Sequence, residues 1–275
     1  MRLFRGHISA AREALQLITK YWELTWEMAR RDITDRYIGQ AFGLLWAIAH
    51  PLFLMALYVF IFAFVFKAKV GGTIQMPLDY TTYILAGLIP CMAFQESLNK
   101  SCSAITSNAS LVKQVVFPLE VLPVKGIIAS LLPQCVSTVI LFCYVLISHG
   151  GFFITYLLLP ALYIMQVLAM LGFGYLLAAI GAYFRDIKDF VQLFCVAGMY
   201  LMPVFYLPDM IPSLFKPLLY FNPFSYMTWC YQDVIYFGRI EHPIAWIIFP
   251  FLSISIFALG YRFFRKLKIG FGNML

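Results

Sequence analysis

Charge is scarce in this sequence, and two long stretches carry none. Of its 275 residues, 12% are Asp, Glu, Lys or Arg and 62% are hydrophobic, whereas soluble domains carry about 25% charged residues. Arg36 and Lys67 bracket 30 consecutive uncharged residues, and Lys125 and Arg185 bracket 59. These stretches exclude a water-soluble domain and indicate segments that cross a bilayer.

The sequence also lacks the motifs of common nucleotide-binding and hydrolytic sites. It has no GxxxxGK[ST], so it has no P-loop for nucleotide phosphates. GxSxG, HExxH and CxxC are missing, and the four histidines are dispersed. The six cysteines lie mostly in apolar runs, as small buried side chains do, and predict neither disulfides nor a zinc site. We expect no enzyme activity, cofactor or metal in this chain, so ATP-driven work would need another subunit.

Six windows almost free of charge are long enough, or nearly so, to cross a membrane as helices, which takes roughly 20 residues. The predicted spans are Ala41 to Phe66, Tyr80 to Lys100, Val121 to Ile147, Phe152 to Phe184, Phe190 to Leu207 and Pro243 to Tyr261. Their apolar runs are continuous, unlike the alternating segments of about 10 residues in a β-barrel. The predicted fold class is an all-α membrane protein with a six-span domain over residues 39–275.

Lysine and arginine are distributed unevenly between the two predicted sides of the membrane. Of the 20 such residues, 16 fall on one side, which includes both termini, and the other side has Lys67, Lys69, Lys216 and Arg239. The positive-inside rule therefore places both termini in the cytoplasm and accounts for the net charge of +7 without nucleic acid. The first 36 residues carry too many charges for a secretory signal peptide, and we expect none.

Residues 1–38 are predicted to form an amphipathic helix. Its apolar side chains recur at steps of three and four, with charged residues between them. They are Leu15, Ile18, Trp22, Trp26, Ala29, Ile33 and Tyr37. This pattern favours a helix in the inner membrane interface. A helix that packs on a partner domain is the alternative, and both can hold.

The stretch from about residue 207 to 241, between the last two spans, combines prolines with apolar runs. Its prolines are Pro208, Pro212, Pro217 and Pro223. The runs between them are too short to span and are typical of re-entrant or interfacial segments. We predict a pair of short helices that dip into the outer leaflet, with Tyr226 and Trp229 as candidate outer-gate residues.

Two features of the predicted spans bear on transport. Aromatic residues follow helical spacing along the first span, where helix packing or lipid contact is the alternative to a substrate path. The chain has 18% aromatic residues, including 17 Tyr. Tyrosine and tryptophan rings can contact the apolar faces of a glycan, and their O–H and N–H groups can bind its hydroxyls. Glu96 lies near the cytoplasmic end of the second span. Its side chain either reaches the membrane interface from the end of the helix or takes part in a proton relay.

A loop of about residues 108–118 is predicted to contain a short cytoplasmic helix. Asn108 or Ser110 can cap it, and Pro118 prevents its continuation beyond Phe117. Such a helix would dock a partner protein, and its candidate docking residues are Ser110, Lys113, Val116 and Phe117. A helix packed on its own chain is the alternative.

Four local patterns, met in order along the chain, resemble one family. They are RDITDRYIGQAFGLLWAIAHP at residues 31–51, LVKQVVFPLEVLP at 111–123, YFRDIKD at 183–189, and PVFY with FNP at 203–206 and 221–223. Together they resemble the permeases of ABC-2-type polysaccharide exporters, which export O-antigen, capsule and teichoic acid chains. The resemblance extends from Arg30 onward. Ile38 departs from it, because such proteins often have a basic residue there.

The resemblance implies a homodimer in the bacterial inner membrane with two ATPase subunits, which would bind ATP and Mg²⁺. It implies a polyprenyl-linked or other lipid-linked glycan as substrate. Spans one and five would line the channel. The candidate channel residues are Phe42, Trp46, Phe53, Phe60, Tyr200, Phe205 and Tyr206.

The resemblance also implies a basic inner rim for a lipid headgroup. Its candidate residues are Arg30, Arg31, Arg36 and Tyr37. Contact of these charges with ordinary lipid, or with Asp32 and Asp35, is the alternative. A drug or small-lipid exporter of the same superfamily and, from another class, a secondary carrier are the other functions considered.

Overall fold

The described part of the structure is built from helices joined by turns. This computed structural model describes residues 13–36, 38, 40, 42–61, 77–114, 117–151, 153–207 and 212–274, and no strand occurs in those ranges. The helices are α1 (residues 13–20), α2 (Trp22–Asp35), α3 (Trp46–Val59), α4 (Tyr80–Cys102), α5 (Ala109–Gln114), α6 (Val121–His149), α7 (Leu159–Tyr183), α8 (Ile187–Tyr200), α9 (Lys216–Phe221), α10 (Pro223–Gln232), α11 (Pro243–Leu267) and α12 (Phe271–Met274). The predicted all-α class is confirmed.

Three helical segments are long and apolar enough to cross a membrane. They are Val121–His149, Ile154–Tyr183 and Pro243–Gly270. They contain α6, α7 and α11 and match the third, fourth and sixth predicted spans. Helices α3 and α8 have 14 residues each, and α4 has 23 but is more polar near its end. Six spans therefore remain a prediction, and residues 62–66 of the first lie outside the described residues.

Helix α4 lies at the centre of the fold. Residues 81–91 are buried on every side of the helix, which packs against α6, α7, α8 and α10. Its N-terminus is capped by Asp79, which accepts hydrogen bonds from Thr82 Oγ1 at 2.6 Å, His149 Nε2 at 2.9 Å and Tyr144 Oη at 3.0 Å. Burial opposes ionisation of Asp79, but these hydrogen bonds outweigh it and lower the carboxyl pKa. The cap thereby ties α4 to the end of α6.

A buried polar cluster joins α6, α7 and α10. The side chains of Gln134 and Gln166 donate to each other's carbonyl oxygens at 2.8 and 3.0 Å, and Tyr231 donates to Gln166. Gln166 also donates to the Pro90 carbonyl of α4 at 3.2 Å. Because every amide has a partner here, the cluster can hold four helices together without an unsatisfied buried group.

Two short helices, α9 and α10, lie in the segment that is predicted to be re-entrant. Asn222 caps α10 by accepting from the Phe224 backbone N–H at 3.0 Å, and a π-helical turn at Asp233–Phe237 extends α10 until Gly238, whose φ is +62°. The re-entrant position of α9 and α10 stays a prediction, and residues 208–211 lie outside the described part.

The N-terminal arm packs on α6 along a face that differs from the predicted one. Ala14, Thr25 and Ala29 are fully buried, whereas Trp22 and Trp26 are exposed and stack on each other with ring centroids 6.4 Å apart. Ala29 of the predicted apolar face thus packs on the protein. Trp22 and Trp26 of the same predicted face do not pack on it and are exposed.

Close backbone contact between α7 and α11 depends on two glycines. A Cβ atom on Gly260 would lie 1.9 Å from the carbonyl oxygen of Gly172, and one on Gly172 would lie 2.5 Å from the carbonyl carbon of Ile256. Small residues let membrane helices approach closely where lipid supplies no hydrophobic driving force.

We predict that Gly260→Ala separates α7 from α11 and costs about 1–3 kcal/mol, because the added methyl group overlaps backbone. Thermal unfolding of the purified protein in detergent measures this loss. Gly272→Ala is the matched control, because a Cβ at that exposed helical glycine meets nothing within 4 Å. Equal stability of the two variants would contradict the predicted contact.

Candidate functional site

A cavity of about 730 Å³ lies between α3, α4 and α6. Its volume is within the usual range for small-molecule sites. The apolar side chains that line it belong mainly to α3 and α4: Trp46, Pro51, Leu54, Met55, Leu85, Leu88, Ile89 and Met92. Gln134 and Ser137 of α6 and His50 of α3 add polar groups, so the cavity can hold an amphipathic molecule.

The charged residues that line this cavity are three cations and one carboxylate: Arg36, Lys100, Lys188 and Glu96. Arg36 Nη1 lies 2.7 Å and Lys100 Nζ 2.9 Å from the same atom, Glu96 Oε1. Glu96 thus bridges the segment after α2 to the end of α4. With Glu96 ionised, these residues carry a net charge of two positive units.

Arg30 and Arg31, two further predicted inner-rim residues, are not among the residues that line the cavity. Arg30 is 3.8 Å from Glu27, and Arg31 is 3.5 Å from Asp35, in exposed pairs along α2. Such pairs contribute little to stability, so both arginines can exchange partners. Tyr37 lies outside the described residues. The structure therefore separates Arg36 from Arg30 and Arg31.

The aromatic residues that follow helical spacing along the first predicted span, Phe42, Trp46, Phe53 and Phe60, form an aromatic stripe. Its rings are all exposed on the surface of the chain, and Trp46 also lines the cavity and lies edge-to-face with Phe42 with ring centroids 5.8 Å apart. In one chain the stripe forms a surface that lipid, substrate or a second chain can cover.

Aromatic rings also connect α3 to the turn that follows α8. Phe205 stacks on Tyr58 of α3, with centroids 6.2 Å apart, and lies 5.7 Å from Tyr200. Tyr206 donates to the Tyr200 carbonyl at 2.7 Å. The three candidate channel residues of the fifth span are therefore together, and Tyr58, a neighbour that the sequence did not single out, joins them.

The two candidate gate residues lie in a packed aromatic group. Trp229 is 2% exposed and stacks on His242 with centroids 5.3 Å apart. Tyr226 is half-buried and donates to the Tyr220 carbonyl at 2.6 Å. In this conformation Trp229 holds α10 against neighbouring rings, and a role in blocking a channel stays a prediction for both.

The predicted docking helix is α5, and it is shorter than the predicted loop helix. Ser110 and Lys113 are exposed, Phe117 is half-buried against the chain's own core, and Val116 lies outside the described residues. Asn108 turns its Nδ2 back to the Ala104 carbonyl at 2.8 Å, away from the predicted capping position. The exposed docking candidates are thus Ser110 and Lys113.

With this geometry established, comparison with known proteins places the chain. Residues 23–236 match the profile of the ABC-2 type transporter family. The chain belongs to this family. Its members are transport proteins, so the expectation of a transport subunit without enzyme activity is confirmed.

Similar proteins align with this ABC-2 chain over most of their length. An O-antigen export system permease protein RfbA of Klebsiella pneumoniae is 29% identical over 90% of this chain and 93% of its own length. An RfbA of Myxococcus xanthus is 27% identical over 80% and 83%, and the polysialic acid transport protein KpsM of Escherichia coli is 20% identical over 86% and 90%. The predicted family resemblance is confirmed.

Sequence reasoning missed a contact that ties α5 to the N-terminal arm of this ABC-2 chain. Lys125 Nζ lies 3.0 Å from Asp32 Oδ1 of α2 and 3.4 Å from Asn108 Oδ1, just before α5. Glu120, which is buried, pairs with Lys268 next to α12. In the sequence, Lys125 is an isolated lysine at the start of an apolar run. The positive-inside rule alone accounts for a lysine there, so the sequence did not indicate an ion pair.

We predict that Lys125→Met releases α2 and the α5 segment from each other, because Asp32 and Asn108 lose their shared donor. The pair is partly buried, so we expect a loss of about 1–2 kcal/mol, or roughly 2–8 °C in Tm. Limited proteolysis should cut the N-terminal arm faster.

The matched control is Lys20→Met, an exposed lysine on α1. Adding Asp32→Asn to Lys125→Met should recover part of the stability, since the unpaired carboxylate is then removed. Indistinguishable proteolysis of the Lys125 and Lys20 variants would reject the bridging role.

Proposed function

We propose that the chain is the permease subunit of an ATP-driven exporter that moves a lipid-linked polysaccharide such as O-antigen across the bacterial inner membrane. The observation that carries the proposal is family membership together with end-to-end similarity to relatives named for O-antigen and polysialic acid transport. Since the sequence has no P-loop motif, separate ATPase subunits would bind ATP and Mg²⁺.

The proposed assembly is a homodimer with two ATPase subunits beneath it. Each chain would cross the membrane six times, with both termini in the cytoplasm, as the lysine and arginine distribution favours. The exposed pair Trp22 and Trp26 supports an interfacial position for the N-terminal arm, since tryptophan is enriched at membrane interfaces. Helices α9 and α10 would form the outer re-entrant pair.

The proposed path runs along the aromatic surface of α3 and the outer turn after α8. Aromatic rings suit the apolar faces of sugars, and tyrosine hydroxyls suit their polar groups. Phe42 and Phe53 are 63% and 69% exposed, and a glycan could contact their rings. The ATPase would dock on α5, where Ser110 and Lys113 are exposed, and Phe117 would support α5 from within the chain.

A drug or small-lipid exporter is the second candidate, and the cavity volume of about 730 Å³ favours it, because a small lipid could fit there within one chain. The two functions differ in cargo rather than in architecture. A secondary carrier is disfavoured by the family assignment.

We expect the chain, purified with its ATPase from glycan-producing cells, to retain a lipid-linked sugar that mass spectrometry identifies. The same preparation from cells that cannot synthesise the glycan should lack this species. A small lipid or drug bound in both preparations would instead support the second candidate.

Cysteine labelling tests the path. In a background without the six native cysteines, Phe53→Cys and Phe60→Cys should react with water-soluble thiol reagents, because a hydrated channel would reach them. The control is Phe251→Cys on α11: Phe251 and Phe53 are both 69% exposed in one chain, but α11 is not a proposed channel helix. Equal protection of all three cysteines from the thiol reagents would contradict the proposed path and would favour lipid contact or helix packing for the aromatic stripe.

A further inference from the structure

The cavity between α3, α4 and α6 has charge at one end and an apolar interior. Its cations come from three segments that are all predicted to lie on the cytoplasmic side: the residue after α2, the end of α4 and the start of α8. A ligand that enters from the inner membrane interface would therefore meet charge first and hydrocarbon next. That order suits an anionic lipid.

Glu96 occupies the position that an anionic headgroup would take. One carboxylate oxygen accepts from both Arg36 and Lys100, and the Glu96 side chain is only 25% exposed. Lys188 lines the same cavity and adds a further positive charge. These cations form a site for an anion, and the Glu96 carboxylate of the chain itself occupies that site.

We propose that this cavity binds the phosphate-bearing end of a prenyl phosphate or pyrophosphate lipid, whose headgroup displaces Glu96 from Arg36 and Lys100. The inference rests on the proposed function and deepens it, because it assigns the lipid anchor of the cargo to a site within one chain. Glu96 is then a competitor that keeps the cations paired until the cargo lipid arrives.

The chemistry favours a phosphorylated lipid over its alternatives. The pyrophosphate of a glycan-bearing prenyl lipid carries about two negative charges, more than a carboxylate, and the Arg36 guanidinium can bind two of its oxygens side by side. A prenyl monophosphate without a glycan has three terminal acceptor oxygens. Inorganic phosphate would leave the apolar walls of Leu54, Leu85 and Leu88 without a partner, and an uncharged prenol would leave Glu96 in place.

The test measures binding of a long-chain polyprenyl monophosphate to the full chain in phosphatidylcholine nanodiscs. Lys100→Gln and Lys188→Gln should each weaken binding about fivefold, the effect of one cation near a membrane surface. Glu96→Gln should tighten binding about fivefold, because it removes the competing charge at nearly constant shape. Lys266→Gln, which removes an exposed charge of α11 on the same predicted side, should leave binding unchanged.

Competition and crosslinking complete the test. Polyprenyl pyrophosphate should displace the probe, whereas polyprenol, inorganic pyrophosphate and phosphatidylglycerol at equal concentration should not. Should a variant fold poorly, a diazirine in the first isoprene unit of the probe should crosslink the wild-type chain within residues 46–58, 85–100 or 133–137, which line the cavity.

Three results would overturn the inference: weaker binding by Glu96→Gln, equal competition by phosphatidylglycerol, or crosslinks confined to other segments. If the lipid-linked sugar still copurifies with the chain while the cavity takes no probe, the site assignment fails and the proposed function stands. If neither is found, both fail.

Discussion

The hydrocarbon core of a membrane has no water for backbone N–H and C=O groups, so non-helical backbone there needs partners within the protein. The turn at residues 201–207, in the fifth predicted span, meets this constraint through side chains of α4 and α10. Tyr83 and Gln232 donate to the Pro203 carbonyl at 3.3 and 2.8 Å, and Tyr80 donates to the Phe205 carbonyl. Helix α4 supplies most of these donors, which explains why a helix less apolar than α6, α7 and α11 is enclosed by protein on all sides.

Charge on the predicted cytoplasmic side does more than orient the chain. Carboxylates there pair with cations from distant segments: Glu96 with Arg36, Asp32 with Lys125, and Glu120 with Lys268. These pairs connect the N-terminal arm to α4 and α6, and the start of α6 to the C-terminal end. An anionic headgroup at this side therefore exchanges partners with existing ion pairs instead of adding to free charges, and its affinity depends on the internal anions as much as on the cations.

Local sequence patterns predicted the helices but not their contacts. Apolar runs bounded by charges and prolines determine where helices can begin, and Val121 and Pro243 are both the predicted and the observed first residues of α6 and α11. By contrast, Arg36 pairs with Glu96, 60 residues away, and no local pattern encodes that distance. Tryptophan is a residue type typical of membrane interfaces, yet Trp229 is enclosed by neighbouring rings. Its packing partners depend on the tertiary fold, which hydropathy does not reveal.

The geometry of one chain also explains why the proposal includes a second copy. The cavity of about 730 Å³ between α3, α4 and α6 can hold the end of a lipid but not a polysaccharide in transit. Phe42, Phe53 and Phe60, in or beside α3, are instead exposed, and exposed Phe190 and Phe194 lie on α8. The Tyr58–Phe205 contact joins α3 to the turn that follows α8. A path needs walls on both sides, and one chain supplies one, so the glycan would pass between two copies while each copy holds a lipid site of its own.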